Sequence, residues 1–251
     1  MGVLVHERFE RDWTPTWTGN THNGYTTPSR SEGETGLRIL FRKGQHYGTD
    51  LRRDITPTRH IRLSYWLRLA SDWNSHTTGK LPGFADLNWV NLVGQTLAHG
   101  NRPPRPNGFS FRTWFGKTVN DQTPIGIYVY HAGQRKMWGD TIPVGHITPG
   151  APHVNVETET DFDAGYIRMR LNWGEWVTHP ISVGSDTAVT TAWLDGYYGG
   201  WRKAPANMAA DIDNYRLDDL ATPETTPGEA PATLADELHK LADRVAVLEA
   251  A

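Results

Sequence analysis

The stretch IRLSYWLRL, residues 61–69, decides the fold class. Its odd positions carry Ile, Leu, Tyr, Leu and Leu, whereas its even positions carry Arg, Ser, Trp and Arg. Because successive side chains of a strand point to opposite faces, this period of two predicts a strand with one buried face. The same alternation recurs in residues 37–41 (LRILF), 108–115 (GFSFRTWF), 125–130 (IGIYVY) and 166–173 (YIRMRLNW). Many short strands with Gly, Pro, Asn and Asp between them predict an all-β protein, an antiparallel sandwich or jelly roll.

The composition excludes several classes of protein. The 251 residues include 11 Trp, 9 Tyr and 7 Phe, so large rings can build a core although only 37% of residues are apolar. Cys is absent, which excludes disulfides and Cys-ligated zinc. A net charge of -3 argues against a nucleic-acid partner, and no apolar run is long enough for a transmembrane helix. The start, MGVLVHERFERDW, does not resemble a secretory signal peptide, which favours a virion, or the cytoplasm before lysis, over classical secretion.

The composition changes near residue 220 and predicts three parts. Residues 1–220 form the β-domain, residues 221–233 (ATPETTPGEAPAT) an extended linker, and residues 234–251 a short coiled-coil helix. The heptad seam of this helix consists of Leu234, Leu238, Leu241, Val245 and Leu248. Because so short a helix is marginal alone, we expect it to join copies of the chain into a homo-oligomer, with a trimer favoured. The alternative is that the helix packs on its own β-domain.

Three segments of the β-domain carry candidate site residues. Lys80 lies in the turn-rich segment GKLPGFAD. Ser110 and Arg112 share one face of a predicted strand, and Tyr128 and Tyr130 share one face of another. Each segment has a plain alternative: a surface lysine, a solvent-facing sheet, or a tyrosine pair that only stabilises its sheet. Together, the three segments supply cations, hydrogen-bonding groups and two weak acids.

This set of residues suits an acidic polysaccharide. In β-elimination on a 1,4-linked polyuronate, a base removes the C5 proton of the sugar and an acid protonates the departing O4. Arg112 and Lys80 would neutralise the uronate carboxylate by charge-assisted hydrogen bonds. Nearby positive charge would lower the pKa of Tyr128 or Tyr130, so that a tyrosine serves as base or acid, and the sequence does not assign which. The scheme needs no metal and no other cofactor.

At this point the motifs resemble polysaccharide lyase family 14, which includes alginate and glucuronate lyases. GKLPGFAD, GFSFRTWF, IGIYVYH and AWLDGYYGGWRKAPANMAADIDNYRL come in the family's order, over roughly residues 9–219. The resemblance implies a concanavalin A-like β-jelly roll that holds its substrate in a concave cleft. The functional residues that it implies are Lys80, Ser110, Arg112, Tyr128 and Tyr130.

Further residues are expected to contact the sugar. The candidates for these contacts are His131, Trp114, Trp138, Trp173 and Trp201. Residues 85–107 resemble an insertion relative to the family, and we expect them to rim or cover the cleft. The choice of substrate therefore stays open.

The sequence thus predicts a domain that binds and cleaves a uronate-containing polysaccharide by β-elimination. The alternative is a non-catalytic protein that binds a carbohydrate or serves a structural role in a virion, as a phage tail or capsid-decoration protein. An oligomer made through the C-terminal helix would add avidity to weak sugar binding in that case, and other virion proteins would be partners. The tail is compatible with both readings.

Overall fold

The computed structural model describes residues 2–10, 12–28, 31, 33–86, 108–134, 138–200 and 202–221. Within these ranges the chain forms fifteen β-strands and one short 3-10 helix, Thr14–Thr16, and contains no α-helix. None of the described helical structure is long and apolar enough to cross a membrane.

The described strands form two sheets. The seven-stranded sheet has the order β10 (Asp140–Ile147), β9 (Thr123–Tyr130), β8 (Ser110–Phe115), β7 (Gly79–Ala85), β14 (Val189–Tyr198), β5 (Tyr47–Thr58) and β2 (Thr18–Asn20). The eight-stranded sheet has the order β13 (Val177–Pro180), β12 (Tyr166–Leu171), β11 (Val154–Asp161), β6 (His60–Leu69), β15 (Met208–Asp219), β4 (Thr35–Phe41) and β3 (Gly24–Pro28), and β1 (Gly2–Glu7) also pairs with β15. Every pairing is antiparallel. The all-β antiparallel sandwich predicted from the alternation is confirmed.

The core is built by the apolar face of each sheet. Leu63 and Leu67 of β6 are fully buried, as is Phe111 of β8. Tyr65 points inward as well, and its hydroxyl donates a hydrogen bond to Thr113 Oγ1 of β8 at 2.7 Å. This bond joins the two sheets and satisfies a polar group that would be costly to bury alone.

The same alternation leaves the other face of the seven-stranded sheet to polar and aromatic side chains. On β8, Phe111 and Thr113 face the core, so Ser110 and Arg112 face away from it. The backbone of the neighbouring strand β7 approaches that of β8 very closely at Gly83. A Cβ atom at this position would lie 2.0 Å from the Phe111 carbonyl oxygen. Glycine at this position therefore allows β7 and β8 to bring their outward side chains together.

Some predicted features lie outside the described residues. They are the helix with its seam (Leu234, Leu238, Leu241, Val245 and Leu248), most of the linker, most of the insertion-like stretch 85–107, and Trp201. The division into β-domain, linker and coiled-coil helix stays a prediction, and so does the homo-oligomer.

Candidate active site on the seven-stranded sheet

The strand register brings the five candidate residues to one face. Arg112 of β8 lies opposite Tyr128 of β9, and Ser110 lies opposite Tyr130. Lys80 of β7 lies opposite Trp114 of β8. Since partners in an antiparallel pair point to the same side, three segments that are distant in the sequence meet on three adjacent strands.

Tyr128 and Tyr130 form a hydroxyl pair. Their hydroxyl oxygens are 3.0 Å apart, and both side chains are buried. Burial raises the pKa of Tyr128 well above its ordinary value, and the neighbouring Tyr130 raises it further, outweighing the opposite effect of Arg112. The expectation of a lowered tyrosine pKa is therefore wrong for Tyr128, because loss of water outweighs the nearby cation. Tyr128 therefore keeps its proton at neutral pH and can donate it to a strongly basic oxygen, although its raised pKa makes it a weaker acid than an ordinary tyrosine.

Lys80 shows the opposite perturbation. Its side chain is only 8% exposed, and its Nζ atom lies 4.4 Å from the centre of the Tyr128 ring. Burial lowers the pKa of Lys80 to about 7, with repulsion from Arg112 as the second cause and attraction by Asp195 as a partial offset. A substantial fraction of Lys80 is consequently a neutral amine near pH 7, which is able to accept a proton.

Asp195 is a member of this cluster that the sequence analysis missed. Its carboxylate is 1% exposed and accepts a hydrogen bond from Arg112 Nη1 at 3.0 Å. Burial raises the pKa of Asp195 to about 6, although Arg112 acts to lower it. Trp193, two residues earlier on β14, lies under the Arg112 guanidinium at 4.6 Å. The alternation of Trp193, Asp195 and Tyr197 with small or apolar residues was the available signal, since it puts all three on one face.

Ser110 has an unusual environment. The residue is fully buried, and its Oγ atom has no hydrogen-bond partner within the described structure. Leaving a buried hydroxyl unsatisfied is unfavourable, by about 1–3 kcal/mol. This hydroxyl lies beside Tyr130 on the site face and is closed off from solvent by its neighbours.

The predicted sugar contacts are placed differently from one another. Trp114 is half-buried, packs against the tyrosine pair, and donates its Nε1 hydrogen to Thr78 Oγ1. Trp138 is 50% exposed and Trp173 is 60% exposed, and Trp173 packs edge-on against Trp66 of the eight-stranded sheet. Trp114 therefore belongs to the cluster, whereas Trp173 belongs to the other sheet.

His131 is buried and bonded through both ring nitrogens. Its Nδ1 atom accepts hydrogen bonds from the backbone N–H groups of Gly133, at 3.2 Å, and Ser182, at 3.0 Å. The proton must then be on Nε2, which lies 3.1 Å from an Asp140 carboxylate oxygen that His179 also approaches, at 3.3 Å. This network does not support the predicted contact between His131 and the sugar.

The same three side chains could be considered as a metal site. The ligand atoms of His131, Asp140 and His179 lie within 4.8 Å of one another. A metal at His131 Nε2 would need the lone pair of that atom, and hence a proton on Nδ1. Because two backbone N–H groups already point at Nδ1, the observed hydrogen bonds do not fit a metal bound by His131. They fit a polar link between the ends of β9, β10 and β13.

Comparison with known proteins gives a likeness of fold. No known family profile matches the sequence, and a search of curated proteins found no match. A variant of the alginate lyase Aly36B in complex with alginate trisaccharide is 17% identical, with a TM-score of 0.63 over 87% of this chain and 99% of that one. The PL-14 alginate lyase from Aplysia kurodai is 13% identical, with a TM-score of 0.53 over 78% of this chain and 87% of that one.

A protein with a different title also shares the architecture. The cellulose induced protein Cip1 is 13% identical, with a TM-score of 0.53 over 86% of this chain and 97% of that one. At such identities the likeness concerns the fold alone and leaves the activity open. The β-domain of this chain has the jelly-roll sandwich fold of family 14-like alginate lyases, as the sequence motifs implied.

Proposed function

We propose that the seven-stranded sheet binds a uronate-containing polysaccharide and cleaves it by β-elimination. One observation carries the proposal. A lysine whose pKa is lowered to about 7 lies 4.4 Å from the ring of a tyrosine whose pKa is raised. Two titratable groups that are moved in opposite directions within one cluster are typical of an acid and a base in a catalytic site.

The chemistry assigns a role to each group. Neutral Lys80 takes the C5 proton of the uronate, and the electrons of the C5–H bond form a C4–C5 double bond. The C4–O4 bond breaks, and a proton from the Tyr128–Tyr130 hydroxyl pair goes to the departing O4. This assignment differs from the sequence expectation, in which Lys80 neutralised the carboxylate and a tyrosine served as base or acid.

Arg112 and Ser110 complete the proposed site. Arg112 bonds the uronate carboxylate, which makes the C5 proton more acidic because charge that develops in the transition state is stabilised. Asp195 fixes the guanidinium from behind, at 3.0 Å, and is a positioning residue. Ser110, whose buried hydroxyl has no partner in the described structure, donates it to the sugar once the side chains that cover it move apart.

The structural comparisons support the class of substrate. Two Aly36B structures are described as complexes with alginate oligosaccharides, and in both of them a lysine has been replaced by alanine. Alginate is a 1,4-linked polyuronate, so it is the first polymer to test on this chain.

Binding without cleavage is the second candidate function. It is favoured by the Arg112–Asp195 pair, because a guanidinium already balanced by a buried carboxylate offers less charge to a reaction intermediate. The oligomer and the virion role stay predictions, to which the described residues and the comparisons add no support.

The experiment that tests the proposal is the appearance of a 4,5-unsaturated uronate, followed by its ultraviolet absorbance. Alginate blocks, glucuronans and hyaluronan are mixed with the protein from about pH 5 to about pH 9. We expect a rate that increases with pH through about 7, as Lys80 loses its proton. No absorbance with any of these polymers, from protein with an intact circular dichroism spectrum, would leave binding as the function.

A further inference from the structure

A line of aromatic side chains continues from Lys80 across β14 to β5, the strand before the last in the seven-stranded sheet. The Tyr197 ring lies 5.2 Å from Lys80 Nζ and 4.9 Å from the Tyr47 ring. His46 stacks on Tyr197 at 5.8 Å and His22 stacks on Tyr47 at 5.1 Å, with interplanar angles of 16° and 15°. We call these four residues, His22, His46, Tyr47 and Tyr197, the aromatic ledge.

The ledge runs across the strands rather than along one of them. Tyr197 of β14 is paired with Lys80 of β7 on one side and with Tyr47 of β5 on the other. Neighbouring strands lie about 4.8 Å apart, so the row from Lys80 to Tyr47 spans about 10 Å. The repeat of a 1,4-linked pyranose chain is comparable with this strand spacing. A chain laid across the sheet would thus place successive sugar rings over successive strands.

The ledge is held in place before any ligand arrives. The Tyr197 hydroxyl donates to the Gly200 carbonyl oxygen at 2.8 Å, which fixes the ring. The Asn23 side-chain amide donates to both Gln45 Oε1 and the Tyr47 carbonyl oxygen, joining the loop before β3 to the loop before β5. Tyr47 is nevertheless 42% exposed. An ordered but exposed ring is a favourable stacking surface, because little side-chain entropy is lost on binding.

Basic residues lie in the two loops that adjoin the ledge. Arg42 and Lys43 lie in the loop that leads to Tyr47, and Lys203 lies in the loop that follows Tyr197, all three exposed. Backbone hydrogen bonds between Gly44 and Ala204, and between Ala204 and Gln45, hold the two loops together. In the described parts of the chain, none of these three cations takes part in a salt bridge. Their charge complements a polyanion that crosses the ledge.

We propose that the aromatic ledge is a set of binding subsites for the sugar rings of an acidic 1,4-linked polysaccharide, on one side of Lys80. The proposal rests on the proposed function of the Lys80 cluster and extends it by giving the site a preference for long chains. A long polyuronate stacks on Tyr197 and Tyr47 and meets the basic residues of the two loops, whereas a short one reaches only the cluster. The length of the polysaccharide should therefore affect mainly KM, through binding, and have little effect on kcat.

The test uses Tyr47→Ala, with Tyr47→Phe as the variant that keeps the ring. Tyr25→Ala is the matched control, because Tyr25 is also exposed, at 47%, but lies on β3 of the other sheet. For long polyuronates we expect Tyr47→Ala to raise KM about tenfold with kcat unchanged, the factor that corresponds to about 1.4 kcal/mol. For the shortest oligosaccharides that are cleaved, KM should not change. Tyr47→Phe and Tyr25→Ala should behave as the unsubstituted protein does.

Three outcomes would overturn the proposal. They are an unchanged KM for long chains, an equal rise for short and long chains, and a fall in kcat alone. Binding of saturated oligouronates to Lys80→Met, measured calorimetrically with and without Tyr47→Ala, separates this proposal from the proposed function. If no polymer is cleaved but Tyr47→Ala still weakens the binding of long chains, the proposed lyase activity is wrong and the proposed subsites are supported. If polymers are cleaved but Tyr47→Ala does not change the affinity for long chains, only the proposal of the subsites is wrong.

Discussion

The outward faces of the two sheets carry similar residues in opposite electrostatic states. On the eight-stranded sheet, Glu159 is 2% exposed and accepts hydrogen bonds from Arg62 at 2.6 Å and Arg168 at 2.8 Å. Burial acts to raise the pKa of Glu159, but hydrogen bonds from Arg62, Tyr166 and His60, together with the charge of Arg168, outweigh it and lower the pKa to about 2. On the seven-stranded sheet, burial affects the pKa values more than charge pairing does. It lowers the pKa of Lys80 to about 7 and raises that of Asp195 to about 6.

The difference separates a structural charge cluster from a functional one. A carboxylate with a lowered pKa stabilises the fold, whereas a lysine with a lowered pKa destabilises it. The Glu159 cluster thus contributes to stability, and the Lys80 cluster costs stability. Costly, unevenly balanced charges are retained where they have a task such as binding or catalysis. Substitutions on the two faces should accordingly have opposite consequences for stability and for activity.

The largest effect is expected from Lys80→Met, which keeps the length of the side chain and removes the base. Activity should fall about a thousandfold, within the range for loss of a general base. Stability should rise below about pH 7, where folded Lys80 bears a buried charge, and the gain should shrink toward its ordinary pKa of 10.5. The sign follows because the unfolded chain binds one more proton between these two pH values.

The measurements are lyase assays and thermal unfolding of Lys80→Met across this pH range. Lys117→Met, at an exposed lysine in the loop between β8 and β9, is the control and should change neither property. A variant that is less stable than the unsubstituted protein at pH 6, or that keeps most of its activity, would contradict the comparison of the two faces.

The next effect is expected from Glu159→Gln, which should lower stability and spare activity. The free energy of unfolding should fall by about 2 kcal/mol, less than for a fully buried pair because both arginines are about a third exposed. Since the pKa of Glu159 is lowered, the stabilisation is present above pH 4.5 and is lost as the pH falls toward 2. Urea unfolding at neutral and acid pH checks this, with the exposed Glu175→Gln as control. An unchanged midpoint at neutral pH would show that the cluster adds no stability.

A subtler change on the site face is Asp195→Asn. Asp195 raises the pKa of Lys80 by attraction, so its neutralisation should lower that pKa further. The acid limb of the activity profile should then move to lower pH by about one unit, and the maximal rate should fall about thirtyfold as Arg112 loses its anchor. Asp163→Asn, at a surface carboxylate paired with Arg59, should leave the profile in place. A rate that is reduced equally at every pH would reduce Asp195 to a structural role.

Sequence reasoning reached the strands and the motif residues but not their electrostatics. The alternation in residues 61–69 was enough for β6, because a period of two has a direct geometric cause. The register between strands could not be predicted from the sequence, since the pairing of Arg112 with Tyr128 depends on turns and bulges across the sheet. The direction of the Tyr128 pKa shift was predicted wrongly because burial is a property of the packed fold, and a nearby cation was the only effect visible in the sequence.

The smallest effect should come from Ser110→Ala, and it sharpens the comparison within one strand. Removal of a buried hydroxyl without a partner should raise stability by about 1 kcal/mol, while activity falls about fivefold if Ser110 bonds the sugar. Thr113→Val is the matched control on the core face of β8. It removes a hydroxyl that accepts a hydrogen bond from Tyr65, so it should lower stability by about 2 kcal/mol. Chemical unfolding measures the stability of both variants, and lyase assays measure their activity. If both variants lose stability equally, Ser110 has a partner in solution and is not held ready for a ligand.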